Sequence, residues 1–259
     1  MTSPRVTLPD NYQLPLFDLQ WNMAHKVTVP TGDAPVPKHS DWHLTQDIFN
    51  GRLLAGATLV DPYGIPLIQP CSAVPAHLIA FSEARALPTP NSDAWVHFYE
   101  HDLRFEVLWK HPERWLERLR GFAGVVSPDF SVYRNMTLAD QITYTYRNQL
   151  LGSWLQRNGL PVIANVRLSG PKSIPFAIAG SPREATIAIG LHGCTKDLDN
   201  RRHVIEEVRM ICHELSPTSI VAYGGPSYGV LDYPMELNIP VHIFPPDTFV
   251  RSQHRKAAA

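Results

Sequence analysis

The chain has 259 residues, 44% of them hydrophobic and 18% charged, with a formal net charge of −1 and a pI of about 6.9. That length and apolar content suit one large globular domain, and the near-neutral balance excludes a global basic field for non-specific DNA binding. Cys71, Cys194 and Cys212 are odd in number and widely spaced, with no CxxC, which argues against a disulfide framework or a zinc ribbon and for small core thiols in a reducing compartment.

The N-terminus lacks a basic-then-apolar leader, and no apolar run approaches the roughly 18 residues of a membrane span. The expectation is a soluble, cytoplasmic protein with no membrane partner. Residues 1–40 are rich in proline (Pro4, Pro9, Pro15, Pro30, Pro35, Pro37). Proline removes amide donors and biases its predecessor away from helix, so this segment reads as an extended arm, with Trp21 and Leu16-Phe17 able to dock it. Residues 41–250 read as a single α/β domain and 251–259 as a frayed tail.

Within the domain, Trp42 to Phe49 suits a short helix, and Asp61-Pro62-Tyr63-Gly64 has turn chemistry. His77 to Phe81 is a first core strand, and Trp95 to Tyr99 has the aromatic and β-branched content of a second. Pro112 opens a helix through Arg120, with Trp115, Leu116 and Leu119 as its apolar stripe. Its cations Arg114, Arg118 and Arg120 alternate with Glu113 and Glu117, the pattern of a solvated face more than of a nucleic-acid contact.

The apolar run Ala123 to Val126 is a buried strand that stops at Ser127-Pro128-Asp129, followed by a polar-aromatic loop through Asn135. Thr137 with Asp140 three residues on resembles a capping box and starts a long helix to about Gln156. Leu138, Ile142, Tyr146, Leu150 and Trp154 recur every four residues on one face, and Asn158-Gly159 supplies the stop. Strands follow at Pro161 to Val166, Thr186 to Leu191, Ser219 to Tyr223 and Val241 to Phe244. A helix over Asn200 to Leu215 ends before Pro217.

Strand and helix thus alternate from about residue 77 to 245, which predicts a mostly parallel sheet with right-handed helical crossovers. Seven candidate strands favour an irregular or incomplete (β/α) barrel over a doubly wound open sheet. In both architectures ligands bind where the strands end at their carboxyl side. Those ends gather Ser82 and Glu83; Glu100, His101 and Asp102; Asp129; Arg167 and Ser169; His192; Tyr223 and Gly224. A rim mixing carboxylates, arginine and histidine suits acid/base work on an anionic substrate. Asp129 is the preferred central carboxylate, with Asp102 and His192 as further catalytic candidates. Arg167 is placed to pair with a phosphate or carboxylate. Arg147, Tyr133, Gln141 and Tyr144 complete the candidate substrate-binding set. For each residue taken singly the plainer reading competes: a turn cap, an internal salt bridge or a surface histidine.

Other patterns are weaker. His97-Phe-Tyr-Glu100-His101 matches HxxEH, but that motif needs a helix, and on a strand the two histidines stand about 13 Å apart. No metal site is assigned. Gly224-Gly225-Pro226-Ser227-Tyr228-Gly229 lacks the dinucleotide spacing and reads as a flexible turn. Cys194 beside His192 reads as a structural thiol. Walker A and GxSxG are absent from the chain.

Val96-His97-Phe98, Asp102-Leu-Arg-Phe-Glu106-Val-Leu-Trp109 with Pro112, Ser127-Pro-Asp-Phe-Ser-Val-Tyr133, Gln141-Ile142, Tyr146-Arg147-Asn148 with Gly152, and Gly159-Leu-Pro-Val-Ile163 together resemble an uncharacterised domain-of-unknown-function family. The likeness covers roughly residues 75–245, and departs from the family pattern at Arg167 and at Ala164-Asn165. The family is common in phages, plasmids and other mobile elements, so the resemblance implies a cytoplasmic protein near DNA-handling genes and implies neither a cofactor nor a reaction. Residues and resemblance together lead to an enzyme acting on a phosphate-bearing substrate, a nucleotide or nucleic acid. The rival reading is a non-catalytic DNA- or protein-binding module in replication, maintenance or host interaction, working through Arg114 to Arg120 and the proline arm.

Overall fold

The computed structural model describes residues 26–28, 49–193, 197–225 and 228–246. Ten strands are present among them. β1 (Lys26–Thr28), β2 (Thr58–Val60) and β3 (Ile65–Pro66) form a small antiparallel sheet, with the expected turn at Asp61 to Gly64 joining β2 to β3. The other seven are β4 (His77–Ala80), β5 (Ala94–His97), β6 (Gly124–Val126), β7 (Val162–Asn165), β8 (Thr186–Gly190), β9 (Ser219–Tyr223) and β10 (Val241–Phe244). They lie side by side in chain order, every pair parallel. A doubly wound sheet reverses its strand order partway. This one never does, and it curls into a nearly closed barrel with one seam, between β4 and β10.

The crossovers are α1 (Phe81–Ala84), α2 (Glu106–Lys110), α3 (Pro112–Leu119), α4 (Leu138–Arg157), α5 (Ile174–Ala177), α6 (Leu198–Leu215) and α7 (Asp232–Glu236). Local chemistry explains the long ones. Thr137 caps α4, accepting from the Asp140 amide at 3.2 Å while its hydroxyl donates to the Asp140 carboxylate at 2.7 Å. Asp197 caps α6 through the Asn200 amide, and Ser216 in the left-handed region ends it before Pro217. Pro112 occupies the first turn of α3. The helix expected over Trp42 to Phe49, most of the proline-rich arm, Cys194 and the tail lie outside the described residues. Among the described residues no helix is long and apolar enough to cross a membrane.

Strand alternation divides the core in two. Outward residues such as Val96, Val125, Val162, Ile187 and Ile220 pack beneath the helices. Inward residues Trp95, Val126, Ile163, Ala188 and Val221 fill the barrel. One step further along the same inward face come His97, Asn165, Gly190 and Tyr223, the top layer of the barrel, at the carboxyl ends of their strands.

The long helix departs from its expected apolar face. Leu138 is 53% exposed, whereas Gln141, Thr145 and Asn148 are buried. The first half of α4 covers the loops after β6 and β7, whose backbone needs hydrogen-bond partners. The second half, with Leu150, Leu151, Trp154 and Leu155, covers strands and is mainly apolar, with Gln149 and Ser153 as buried polar residues there.

Candidate functional site

A cleft of about 620 Å³ opens at the carboxyl ends of the strands. Its lining includes Ser82, Tyr99, Glu100, Asp129, Arg167 and His192. Each is delivered by the segment that directly follows a strand, Ser82 by the first turn of α1 and the others by loops, as an eight-stranded barrel delivers its site residues.

Asp129 forms the centre. The stretch Ser127 to Val132 is buried except for Ser131, and Asn148 on α4 clamps it from below. Asn148 Oδ1 accepts the Phe130 amide at 2.7 Å and its Nδ2 donates to the Phe130 carbonyl at 3.0 Å. The Asp129 carboxylate then turns toward the cleft. Asn165 Nδ2 donates to one oxygen at 2.8 Å and Arg167 to the other at 3.1 Å. Tyr99 donates its hydroxyl to Asn165 Oδ1 at 2.9 Å, completing a chain from phenol to amide to carboxylate. Burial raises the Asp129 carboxyl above its ordinary range; Arg167 and Asn165 oppose that shift, and nearby Asp102 adds to it. Burial raises the Tyr99 phenol too, with Asp129 as the next cause. A carboxylate that is held rigidly and whose charge is disfavoured is equipped to take and return a proton.

The floor is aromatic. Tyr99 and Tyr223 stack with centroids 4.9 Å apart, and His97 lies 4.4 Å from Tyr223 on the same layer. Gly190 makes room for this: a Cβ there would stand 2.8 Å from the Tyr99 ring. His192 sits on the rim, 6.4 Å from the Tyr223 ring, and Tyr133, 52% exposed, also lines the opening. On the third side Glu100 accepts the Ser82 amide at 2.8 Å and pairs with Arg104 at 3.3 Å.

Of the residues expected from sequence, Asp129, Arg167, His192 and Tyr133 line the cleft. Asp102 stands just behind it: its carboxylate accepts the Ser131 amide at 3.1 Å and the Ser131 hydroxyl at 2.9 Å, and so holds the loop that lines the wall. Gln141 is buried and does the same from α4, donating to the Tyr133 and Met136 carbonyls and accepting the Ser169 hydroxyl at 2.8 Å. Arg147 and Tyr144 are elsewhere. The Arg147 guanidinium lies between Phe130 and Trp109, 4.0 and 4.5 Å from their centroids, and pairs with Glu106 at 2.7 Å. Tyr144 packs at the edge of Phe130. A cation enclosed by rings and matched by an internal carboxylate supports the loop rather than meeting a ligand. Tyr99 and Asn165 escape a reading that takes the first polar residues past each strand as its end. The two-residue period along β5 and β7 was the signal that would have found them.

The helix on which the rival binding reading depends uses its central arginine internally. Arg118 donates to the carbonyls of Ala84, at 2.9 Å, and Leu87. Arg120 pairs with Glu117 on the same helix.

Comparison with known proteins agrees with the resemblance seen in the motifs. Gene 1 protein of Mycobacterium phage L5 is 31% identical over 180 residues, covering 69% of this chain and 77% of that protein. Gene 1 protein of Mycobacterium phage D29 is 29% identical over 195 residues, covering 75% of this chain and 70% of the phage protein. The model of a family described as a domain of unknown function (DUF4417) matches residues 57–238, a span that takes in eight of the ten strands, β2 to β9, and the chain up to and including α7. With that span matched and phage proteins among its relatives, the chain belongs to the DUF4417 family, a phage-associated family.

Proposed function

We propose that this protein is an enzyme that performs acid/base chemistry on a phosphate-bearing substrate of the nucleotide or nucleic-acid class, bound in the rim cleft. The observation that carries the reading is the Asp129 carboxylate: buried at the cleft floor, fixed at both oxygens by Asn165 and Arg167, and raised in proton affinity. Asp129 is the proton-transferring group. Arg167 faces the ligand from the same wall, with Arg104, His101 and His192 around the opening to meet an anion. Asp102 keeps Ser131 and its loop in place. The volume suits a small-molecule ligand, and the tyrosines offer rings for a base.

The test is thermal stabilisation of the wild-type chain by nucleotides, divalent metals and short DNA. A ligand at a hundredfold excess over its Kd contributes about 2.7 kcal/mol, roughly 5–10 °C in Tm for a chain of this size. The expected result is a shift with a nucleotide that is lost in Arg167→Gln, which removes the anion-binding guanidinium, and kept in Arg114→Ala, on the exposed face of α3. No shift with any ligand overturns the proposal. A shift lost in Arg114→Ala instead favours the binding-module reading.

A further inference from the structure

A second acidic side chain, besides Asp102, faces the cleft wall from behind. Glu207 lies on α6, partly buried, and its Oε1 accepts the Gly170 amide at 2.9 Å. Gly170 has φ +97°, a backbone conformation that L side chains rarely adopt, and it belongs to the loop that carries Arg167. Glu207 and Arg167 line one recess of about 60 Å³ that is otherwise apolar, with Val166, Leu168 and Val204 among its walls. Arg167 and Gly190 also line the main cleft, so the recess and the cleft share a wall. On the cleft side Arg167 binds Asp129 at 3.1 Å. Arg167 therefore contributes both to the recess that holds Glu207 and to the cleft that holds Asp129, and its charge acts on both carboxylates.

Arg134, from the loop after β6, is fastened to Asn200 on α6 and acts on Glu207 electrostatically. On its own helix, neighbouring Glu206 is engaged by Arg209 at 3.2 Å. Burial outweighs Arg134, Arg167 and the Gly170 amide, and raises the Glu207 carboxyl to about 7. Glu207 thus changes charge near neutrality beside the arginine that the site depends on.

We propose that Glu207 is a second carboxylate of this site, a positioning residue that shares Arg167 with Asp129 through the cleft wall and sets how much of the guanidinium serves the cleft. Ionised, Glu207 draws Arg167 toward the recess. Neutral, it leaves Arg167 to Asp129 and to an anion entering the cleft; this last consequence rests on the proposed function, whereas the sharing itself does not.

The test uses the ligand-free protein, so its failure and the failure of the ligand screen are separate results. Carboxyl ¹³C-labelled aspartate reports the Asp129 titration by NMR. Glu207→Gln keeps an acceptor for the Gly170 amide and removes the charge. The expected result is that the Asp129 transition moves to lower pH in Glu207→Gln, because Arg167 is no longer shared, and that the same substitution moves nothing in an Arg167→Gln background. If Arg167→Gln unfolds, Arg167→Lys replaces it, and the displacement caused by Glu207→Gln should shrink. An Asp129 titration unchanged by Glu207→Gln overturns the proposal, as does a displacement that persists in full without the arginine.

Discussion

Asn148→Ala tests whether the loop bearing Asp129 is held by its hydrogen bonds or by its apolar neighbours. The side chain is 6% exposed and satisfies both backbone groups of Phe130, at 2.7 and 3.0 Å. Phe130 is itself fully buried, 4.6 Å from the Phe105 centroid, so its amide and carbonyl have little route to solvent. Truncation orphans one donor and one acceptor, each costing about 1–3 kcal/mol. A water entering the vacated space could repair one of the two. The expected loss is about 2–4 kcal/mol, a large part of the 5–15 kcal/mol typical of a domain. Urea denaturation should show a lower midpoint at unchanged slope, and the melting temperature should fall by roughly 4–16 °C. Asn148→Asp, which can accept from the Phe130 amide but cannot donate to its carbonyl when ionised, should recover part of the loss. Because Asp129 is the adjacent residue, any ligand-induced shift should fall as well. A loss under about 1 kcal/mol would refute the reasoning and show that Phe130 packing alone fixes the loop.

Further outcomes follow from the same contacts. Gly152→Ala should destabilise by about 1–3 kcal/mol although alanine is the better helix former by about 1 kcal/mol, because the new Cβ would stand 2.5 Å from Ile68 Cδ1 and 2.8 Å from Ser127 Cβ; urea melts decide it. Gly190→Ala, with its Cβ 2.8 Å from the Tyr99 ring, should weaken the nucleotide-induced thermal shift more than it lowers the melting temperature of the free chain. Glu207, raised to about 7, contributes stability that is complete below the unfolded carboxylate value of about 4.3 and is lost as pH rises through about 7. Glu207→Gln should therefore be more stable than the wild type by about 1–3 kcal/mol at pH 8 and equal to it below pH 4, as read from urea midpoints at both ends.

Much of the scaffold was legible because its signals are local. Every strand of the barrel was placed to within two residues from apolar runs that stop at polar or glycine pairs. Thr137, Pro112 and the Asn158-Gly159 pair marked helix ends through chemistry that acts over three or four residues. Strict alternation of strand and helix carried the parallel barrel, and with it the rim on which Asp129, Arg167 and His192 meet. The inner face of α4 was not legible. Periodicity assumes that a buried face is apolar, and here Gln141, Thr145 and Asn148 are buried against loop backbone that needs partners. Arg147 and Arg118 were misleading for a related reason: composition shows a cation, and only packing shows whether a ring or a carbonyl already holds it.

The sequence by itself therefore determined the elements, their order, the parallel sheet and the list of strand ends, since hydrophobic period and capping are properties of neighbouring residues. Tertiary structure alone decided which of those ends face one another. Closing the sheet brought Tyr99, Asn165 and Asp129, from three successive strand ends, into one hydrogen-bonded chain, and paired Arg167 with Asp129 on a wall that it shares with the recess of Glu207. The hydrogen-bonded partners Tyr99 and Asn165 are 66 residues apart along the chain, and only the burial created by closure raises the proton affinity of both carboxylates. Asp129 was identifiable as a residue at the end of a strand; its desolvation, which suits it to acid/base work, exists only in the folded barrel.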